Sequence, residues 1–253
     1  MITGMGTLRV VQRNLRVWRK FMLSSLVGNL GQPFLFLLAF GFGLGREIHP
    51  IAGYSYLQFI APGLAASAVM YSSAFETTYG SFTRLGTQST FEGILMTPIS
   101  PAELAGGEII WGALKGLLAG AIMLAAMPLF GFWPSIWALA LLPILFIAGI
   151  FFAALGLIMT ALAGSYEFFN YFISLVITPL FLFSGIFFSL NDLPPATRAV
   201  LQFIPLTPIV NMARMFCYGR PSGLWPLHLA LFMVLTLAVS WLAALLLRRR
   251  LIA

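Results

Sequence analysis

Two ionisable residues stand out because they lie within a long apolar stretch, where their chemistry would be ion or proton transfer. Glu108 and Lys115 are seven residues apart, which places them two turns apart on one helix face and beyond direct pairing. Carriers driven by ion gradients hold ionisable groups at such depths, so the pair is the main argument for a secondary carrier. We favour a second interpretation, in which both side chains snorkel toward the inner membrane surface. A third is a polar hinge that faces the helix bundle.

Residues for other chemistry are scarce in this sequence. There is no G-x-x-x-x-G-K-[ST] loop, so the chain by itself lacks this means of gripping nucleotide phosphates. His49 and His228 are isolated, no H-E-x-x-H motif occurs, and the single Cys217 excludes an internal disulfide. We therefore predict no catalytic residue and no metal site. A membrane-embedded enzyme acting on lipids would need a nucleophile with a base or a metal beside it.

The elements that must position these residues lie in a membrane. Of the 253 residues, 60% are hydrophobic and 8% are charged, whereas a soluble domain carries roughly 25% charged residues. Eight of the 14 basic residues fall in two clusters that flank apolar runs, Arg9 to Lys20 and Arg248 to Arg250. Cations at such positions face anionic lipid headgroups. We therefore predict membrane lipid as a partner and no nucleic acid.

Hydrophobic length predicts the spans, because a helix needs about 20 apolar residues to cross the hydrocarbon core. Six stretches meet this length. We predict an all-α polytopic membrane protein with six transmembrane helices, at residues 24–44, 56–75, 107–129, 136–163, 168–188 and 226–247.

Residues 7–22 precede the first span and carry apolar and basic side chains on different faces. This is the pattern of an interfacial amphipathic helix, which acts either as an anchor or as a lever on a cytoplasmic partner. We expect the first span to be retained, residues 76–106 to form a long inner loop, and residues 1–253 to form a single transmembrane domain.

The basic residues also predict the orientation, because cytoplasmic loops carry an excess of Lys and Arg. With the N-terminus inside, ten basic residues lie on the inner side and four on the outer side. The outer four are Arg46, Arg198, Arg214 and Arg220. We therefore predict that both termini are cytoplasmic.

The outer segment 190–218 fits neither a solvated loop nor a straight span. It is too apolar for the first, and Pro194, Pro205 and Pro208 interrupt it too often for the second. We predict a re-entrant helical hairpin that dips into the outer leaflet. Its non-helical breaks must be covered by protein or line a cavity.

A glycine ladder lies on the third predicted span. Gly112, Gly116 and Gly120 recur every four residues, and such small residues let two helix backbones approach closely. The pattern leaves open whether the ladder packs within the chain or between two copies of it.

Several short motifs resemble those of ABC-2-type transporter permeases. The inner stretch FEGILMTPISP, residues 91–101, resembles the family's E-x-x-x-x-(T/A)-P-(I/V) segment. A second set resembles the family's P-x-x-x-x-S-G-x-x-F, LP, PLTP and Arg elements at Pro179, Ser184, Gly185, Phe188, Leu193, Pro194, Pro205, Leu206, Thr207, Pro208 and Arg214. With the span number, the basic N-terminal helix and the length, the resemblance covers nearly the whole chain. It is greatest to the nodulation protein J branch, the membrane subunits of lipo-oligosaccharide exporters.

The resemblance implies an ATP-driven ABC exporter of the bacterial inner (cytoplasmic) membrane. This multi-pass chain would be its transport subunit and not an enzyme. A separate ABC ATPase subunit would bind ATP and Mg, and no cofactor would bind this chain. The second permease subunit would be another copy, giving a homodimer, or a related permease. The cargo would be a lipid-linked saccharide, a lipo-oligosaccharide or another amphipathic compound.

The resemblance also implies roles for particular residues. A coupling helix at residues 91–100 would contact the ATPase through Phe91, Glu92, Leu95, Met96 and Pro98. The hairpin would close the exit through Asp192, Pro194, Pro205, Pro208 and Arg214. The substrate pathway would include Gln32, Phe36, Phe40, Tyr71, Phe75, Asn170 and Tyr171. The alternatives are an ordinary inner loop, an extracytoplasmic cap, and aromatic side chains that serve only packing or lipid contact.

Overall fold

The structure is a computed structural model that describes residues 4–43, 45, 49–51, 53–221 and 223–252, with the side chains of residues 26, 29, 30, 32, 41 and 42 outside that description. Within these residues every regular element is a helix, and Ile51 and Tyr54 form one isolated β-bridge. The predicted all-α class is therefore confirmed.

The described residues contain twelve α-helices: α1 Met5–Trp18, α2 Met22–Leu38, α3 Tyr56–Phe75, α4 Ser81–Leu85, α5 Thr90–Leu95, α6 Pro101–Ala126, α7 Ala138–Leu162, α8 Glu167–Phe172, α9 Thr178–Phe183, α10 Pro195–Gln202, α11 Leu206–Cys217 and α12 Trp225–Ile252. Single π-helical turns extend α2 at Ala39–Gly43, join α3 to α4 at Glu76–Gly80, and join α8 to α9 at Ile173–Ile177. The predicted inner loop, residues 76–106, begins later than expected. Helix α3 continues through the π-helical turn and α4 to Leu85.

Within the described ranges, three helices are long and apolar enough to cross a membrane: Pro101–Phe130, Ala138–Leu162 and Trp225–Ile252. The pair α10 and α11, bent by 94°, makes a fourth if it counts as one span. Helix α3 has 20 residues, but Gln58 and its serines lower its mean hydropathy, and α2 has only 17. The count of six spans stays a prediction.

The glycine ladder packs within the chain, which answers the question that the sequence left open. A Cβ atom on Gly112 would lie 2.7 Å from Thr77 Cγ2, and one on Gly120 would lie 2.6 Å from Val69 Cγ2. Gly116 faces Ser73, which lies on the same helix as Val69. Since these neighbours belong to α3 and its π-helical turn, the ladder brings α6 against the second predicted span.

Helix α1 lies against the beginning of α6. Val10 is 1% exposed, and a Cβ atom on Gly107 would lie 2.5 Å from Val10 Cβ. The hydroxyl of Thr7 donates a hydrogen bond to the carbonyl oxygen of Glu103 at 3.2 Å. The predicted amphipathic N-terminal helix is observed at Met5–Trp18. It is held to the bundle by packing and by this hydrogen bond.

Candidate functional site

The predicted coupling segment forms a short helix with one buried side and one free side. Phe91 is fully buried in an apolar cluster that includes Val10 of α1 and Leu104 of α6. Glu92 is exposed, and Met96 is 88% exposed. The segment is therefore held to the bundle through Phe91 and presents a polar and apolar surface outward.

The end of this helix is closed by local hydrogen bonds. The hydroxyl of Thr97 donates to the carbonyl oxygen of Ile94 at 2.6 Å, and the exposed Pro98 follows. Helix α6 begins at Pro101 with a reciprocal cap, in which Glu103 N donates to Ser100 Oγ at 3.3 Å and Ser100 N donates to Glu103 Oε2 at 2.9 Å. Leu95 is half-buried, so the predicted coupling residues differ in exposure along the segment.

A buried charge cluster lies beside this segment and consists of Glu76, Arg84, Glu108 and Lys115. Arg84 Nη2 is 2.9 Å from Glu76 Oε1 and 2.7 Å from Glu108 Oε2. Lys115 Nζ is 2.6 Å from Glu76 Oε2. The two cations and two carboxylates form one chain of ion pairs with no net charge.

Neutral donors complete the cluster. Glu108 Oε2 accepts a hydrogen bond from Ser81 Oγ at 2.6 Å, and Glu108 Oε1 accepts one from Asn14 Nδ2 at 2.7 Å. Glu76 Oε1 accepts one from Trp111 Nε1 at 2.9 Å. Burying ion pairs is favourable only when the remaining hydrogen-bonding capacity is also satisfied, and here all four carboxylate oxygens have partners.

The favoured snorkelling of Glu108 and Lys115 is wrong, because both side chains face the interior of the bundle. The hinge role stays a prediction. Glu108 is fully buried, and the Lys115 side chain is 11% exposed. They do not pair with each other, as their spacing predicted. Their partners come from α1, from the π-helical turn after α3 and from α4, which meet α6 there.

Glu76 and Arg84 were missed as site residues because they were placed in a loop. The available signal was their spacing: Glu76, Gly80 and Arg84 recur every four residues, which puts them on one helix face. Gly80 leaves the space over which the ion pair forms, since a Cβ atom there would lie 3.0 Å from Glu76 Oε1 and 3.3 Å from Arg84 Nη2.

The cluster is connected to the coupling segment through α1. Arg13 Nη1 donates to Asn14 Oδ1 at 2.9 Å, and Arg13 Nη2 donates to the Thr90 hydroxyl at 3.4 Å. Burial, together with the nearby Arg84, lowers the pKa of Arg13, and Glu108 partly opposes this. A polar path thus runs from the first residue of α5, through α1, to Glu108 of α6.

Four of the predicted pathway aromatics belong to one row of ring contacts. The Phe36 ring lies 5.6 Å from Phe40 and 5.2 Å from Phe181, measured between centroids. Phe181 lies 5.6 Å from Tyr71, and Tyr71 lies 6.2 Å from Phe75. The row therefore joins α2, α3 and α9 along one side of the bundle.

The row continues toward the polar end of α3. The Phe75 ring is 5.7 Å from Tyr79, whose hydroxyl donates to Asn170 Oδ1 at 3.3 Å. Tyr171 is 67% exposed, and the Gln32 side chain lies outside the described residues. A role for any of these residues in transport stays a prediction.

The segment 190–218 forms two helices, α10 and α11, that meet at 94°. Pro194 precedes α10 and Pro205 precedes α11, where the missing proline N–H costs no helical hydrogen bond. Pro208 is half-buried, and Asp192 is exposed in a 3₁₀ turn. The bend agrees with the predicted hairpin, and its re-entrant position in a membrane stays a prediction.

Arg214 joins this hairpin to the rest of the bundle. Its Nε donates to the carbonyl oxygen of Phe59 at 3.0 Å, and its Nη2 donates to those of Gly185 and Ile186 at 2.7 and 2.9 Å. The guanidinium carbon lies 3.7 Å from the centre of the Phe59 ring. Helix α11 is therefore tied to the start of α3 and to the turn after α9.

Metal chemistry has no evident location in the part of the chain that the structure describes. No three His, Cys, Asp or Glu side chains there are close enough together to hold a metal ion.

Comparison with known proteins gives consistent matches. Residues 6–218 match the family model described as ABC-2 type transporter. The chain is 36% identical to "Nodulation protein J" of Rhizobium meliloti (strain 1021), over 98% of this chain and 95% of that protein. It is 35% identical to "Nodulation protein J" of Rhizobium leguminosarum bv. viciae, over 98% and 96%. It is 30% identical to "Inner membrane transport permease YadH" of Escherichia coli (strain K12), over 83% and 78%.

Proposed function

The chain belongs to the ABC-2 type transporter family and is a membrane subunit of a bacterial ABC transporter, and we propose that it drives export together with a separate ABC ATPase. The resemblance found in the sequence motifs is thereby confirmed. The proposed location is the inner membrane, with six spans and both termini in the cytoplasm.

The observation that carries the proposal is the two-sided coupling segment. Phe91 anchors it in the bundle, while Glu92 and Met96 remain exposed without a partner surface in the described chain. A large exposed apolar side chain beside polar ones is typical of a protein interface. The sequence has no phosphate loop, so ATP and Mg would be bound by the protein that docks here.

Force from the ATPase would reach the spans through α5 and α1. Displacement of α5 acts on α6 through the buried Phe91 and on α1 through the Arg13–Thr90 hydrogen bond. The buried charge cluster holds α4, α6 and the end of α3 together, so these elements would move as one body. Two permease subunits would enclose the path, as a homodimer or with a related permease.

The proposed cargo is an amphipathic molecule such as a lipid-linked saccharide or a lipo-oligosaccharide. The aromatic row from Phe40 to Tyr79 offers apolar surface for acyl chains and ring faces for sugars. The relatives named nodulation protein J support the same branch of the family. The hairpin of α10 and α11 would close the exit.

An ion-gradient-driven secondary carrier is the alternative that the buried charge cluster would favour. A proton carrier needs a carboxylate that can take up a proton, whereas Glu76 and Glu108 receive ion pairs or hydrogen bonds at every oxygen. A transported proton would therefore have to displace one of these partners. Uphill transport by the purified chain, reconstituted without an ATPase, would establish the carrier.

The proposal is tested on cells that express this chain with its ABC ATPase. Replacing Glu92 by Ala and Met96 by Asp places a charge where an apolar contact is expected. We expect co-purification of the ATPase and transport-stimulated ATP hydrolysis to fall by about tenfold, which corresponds to about 1.4 kcal/mol.

The matched control is Leu129→Asp, because Leu129 is 83% exposed and lies in the 3₁₀ turn Met127–Phe130, which follows the end of α6 that is remote from the coupling segment. This variant should retain the bound ATPase. Unchanged co-purification of the Glu92→Ala, Met96→Asp variant would remove the coupling role of this segment.

A further inference from the structure

A cleft of about 540 Å³ lies inside the bend between α10 and α11. The first residues of α12, including Trp225 and His228, close its third side, and Phe59 of α3 contributes to its wall. Its volume falls within the range of about 300–1,000 Å³ that is usual for small-molecule sites. The cleft is separate from the coupling segment, the charge cluster and the aromatic row.

The cleft has partly apolar walls, and the polar side chains among its lining residues are cationic or neutral. Arg198, Arg214, Arg220 and His228 line it, and no carboxylate is among its lining residues. The nearest acidic residue in the sequence of the hairpin is Asp192, which does not line the cleft. In the described ranges the cations of the ion pairs within 4.0 Å are Arg84 and Lys115, so the three arginines of the cleft have no carboxylate partner there.

Arg214 makes the imbalance of charge more severe because it is largely buried. The hydrogen bonds found for its side chain in the described structure all go to carbonyl oxygens, those of Phe59, Gly185 and Ile186. Carbonyl dipoles satisfy N–H donors, but they do not neutralise a full positive charge. A buried cation without a counter-charge is unfavourable, so the cleft is better suited to an anion than to an empty or aqueous state.

Neutral donors extend the site beyond the guanidinium groups. The amides of Asn191, Gln202 and Asn211 line the same cleft. Arg198 and Arg220 are exposed, so a ligand can reach them from outside without any change in the fold. Guanidinium groups bind phosphate oxygens in a bidentate manner, which gives both affinity and orientation.

We propose that this cleft is a binding site for an oxyanion of the phosphate class, held by Arg198 and Arg220 above the buried Arg214. The phosphate can belong to the headgroup of an anionic lipid or to a free phosphate ion. The site does not depend on ATP, on the ATPase or on the direction of transport, so it is tested separately from the proposed function.

A single cysteine in the cleft provides a local reporter in the full chain. Cys217 is buried and is the one native cysteine, so Cys217→Ala removes the background. Leu224→Cys then places a thiol at a position that lines the cleft, is 67% exposed and supplies no polar group to the site. The rate of reaction with an uncharged maleimide reports occupancy of the site.

The first arm titrates inorganic phosphate into protein in uncharged detergent, with chloride at matched ionic strength as the reference. The second arm compares nanodiscs of phosphatidylglycerol with nanodiscs of phosphatidylcholine. Protection by phosphate assigns a free-ion site, and protection in phosphatidylglycerol alone assigns a lipid headgroup site. Either result supports the proposal.

The decisive comparison is Arg198→Gln with Arg220→Gln in the same reporter background. We expect the phosphate concentration for half-protection, or the required fraction of phosphatidylglycerol, to rise by about tenfold or more, since two charge-assisted contacts are lost. Arg249→Gln, at the far end of α12, removes an equivalent charge and should leave protection unchanged. Labelling rates that neither ligand changes, or equal protection in the double variant, would overturn the site.

Discussion

Two largely buried arginines, Arg84 and Arg214, each connect neighbouring helices, but their positive charges are balanced in different ways. Arg84 lies between the carboxylates of Glu76 and Glu108, and this cluster has no net charge. Arg214 lies against three carbonyl oxygens and one aromatic ring, and no described carboxylate neutralises it. The first arrangement is complete within the chain, whereas the second leaves a charge for a ligand to compensate.

The difference indicates different tasks for the two regions. The Arg84 region connects α1, α4 and α6 beside the coupling segment, where a fixed joint would transmit movement. The Arg214 region connects the hairpin to α3 and lines an open cleft. An incomplete electrostatic site has a use there, because binding or release of an anion can change how firmly the hairpin is held.

The largest expected effect follows from removing one member of the complete cluster. Glu108→Ala leaves two buried cations, Arg84 and Lys115, against the single carboxylate of Glu76, and it removes the acceptor of Asn14 Nδ2. We expect a loss of about 3–5 kcal/mol in stability. The measurement is thermal unfolding of the purified chain in detergent. The double variant Arg84→Met, Glu108→Leu should recover much of the loss, because it leaves no single buried charge at this position.

If the double variant were less stable than Glu108→Ala, the contrast between a complete and an incomplete site would fail. The cluster would then be stabilised by its ion pairs as such, and not by the absence of uncompensated charge.

An intermediate effect is expected at the other arginine. Arg214→Gln removes the charge but keeps an amide donor for the carbonyl oxygens, and no carboxylate is left behind. We expect a loss of about 1–3 kcal/mol, the usual range for unsatisfied buried hydrogen-bonding groups. The same unfolding measurement, made with and without phosphate, should also show less stabilisation by phosphate than in the unmodified chain.

A loss at Arg214 as large as that of Glu108→Ala would show that an acidic partner outside the described residues neutralises it. The cleft would then need no external anion.

The smallest effect is expected for Asp192→Asn. Asp192 is exposed and forms no ion pair in the described part of the chain, and surface substitutions of this kind change stability little. Its melting temperature and its protection by phosphate should match those of the unmodified protein. A marked gain in phosphate affinity would mean that this carboxylate already acts on the cleft.

Much of the fold was predictable because it depends on local pattern. Apolar length located the helices near residues 107–129, 136–163 and 226–247, where α6, α7 and α12 are found. The loop expected from residue 76 failed because Glu76, Thr77 and Thr78 look polar in sequence, although the helix continues and buries them. The proline-rich hairpin was predictable in its bend, since proline removes the N–H groups that a continuous helix needs.

The sequence by itself determined membrane residence, the helical class and the family, because composition, hydrophobic length and short motifs are local properties of the chain. It also determined that Glu108 and Lys115 do not pair with each other. Only the tertiary structure decided their partners: Asn14 is 94 residues from Glu108, and Glu76 is 39 from Lys115. The same holds for the cleft, because side chains from α3, α10, α11 and α12 converge only when the helices pack. Contacts between residues so distant in sequence depend on which helix faces meet, and no local pattern specifies that.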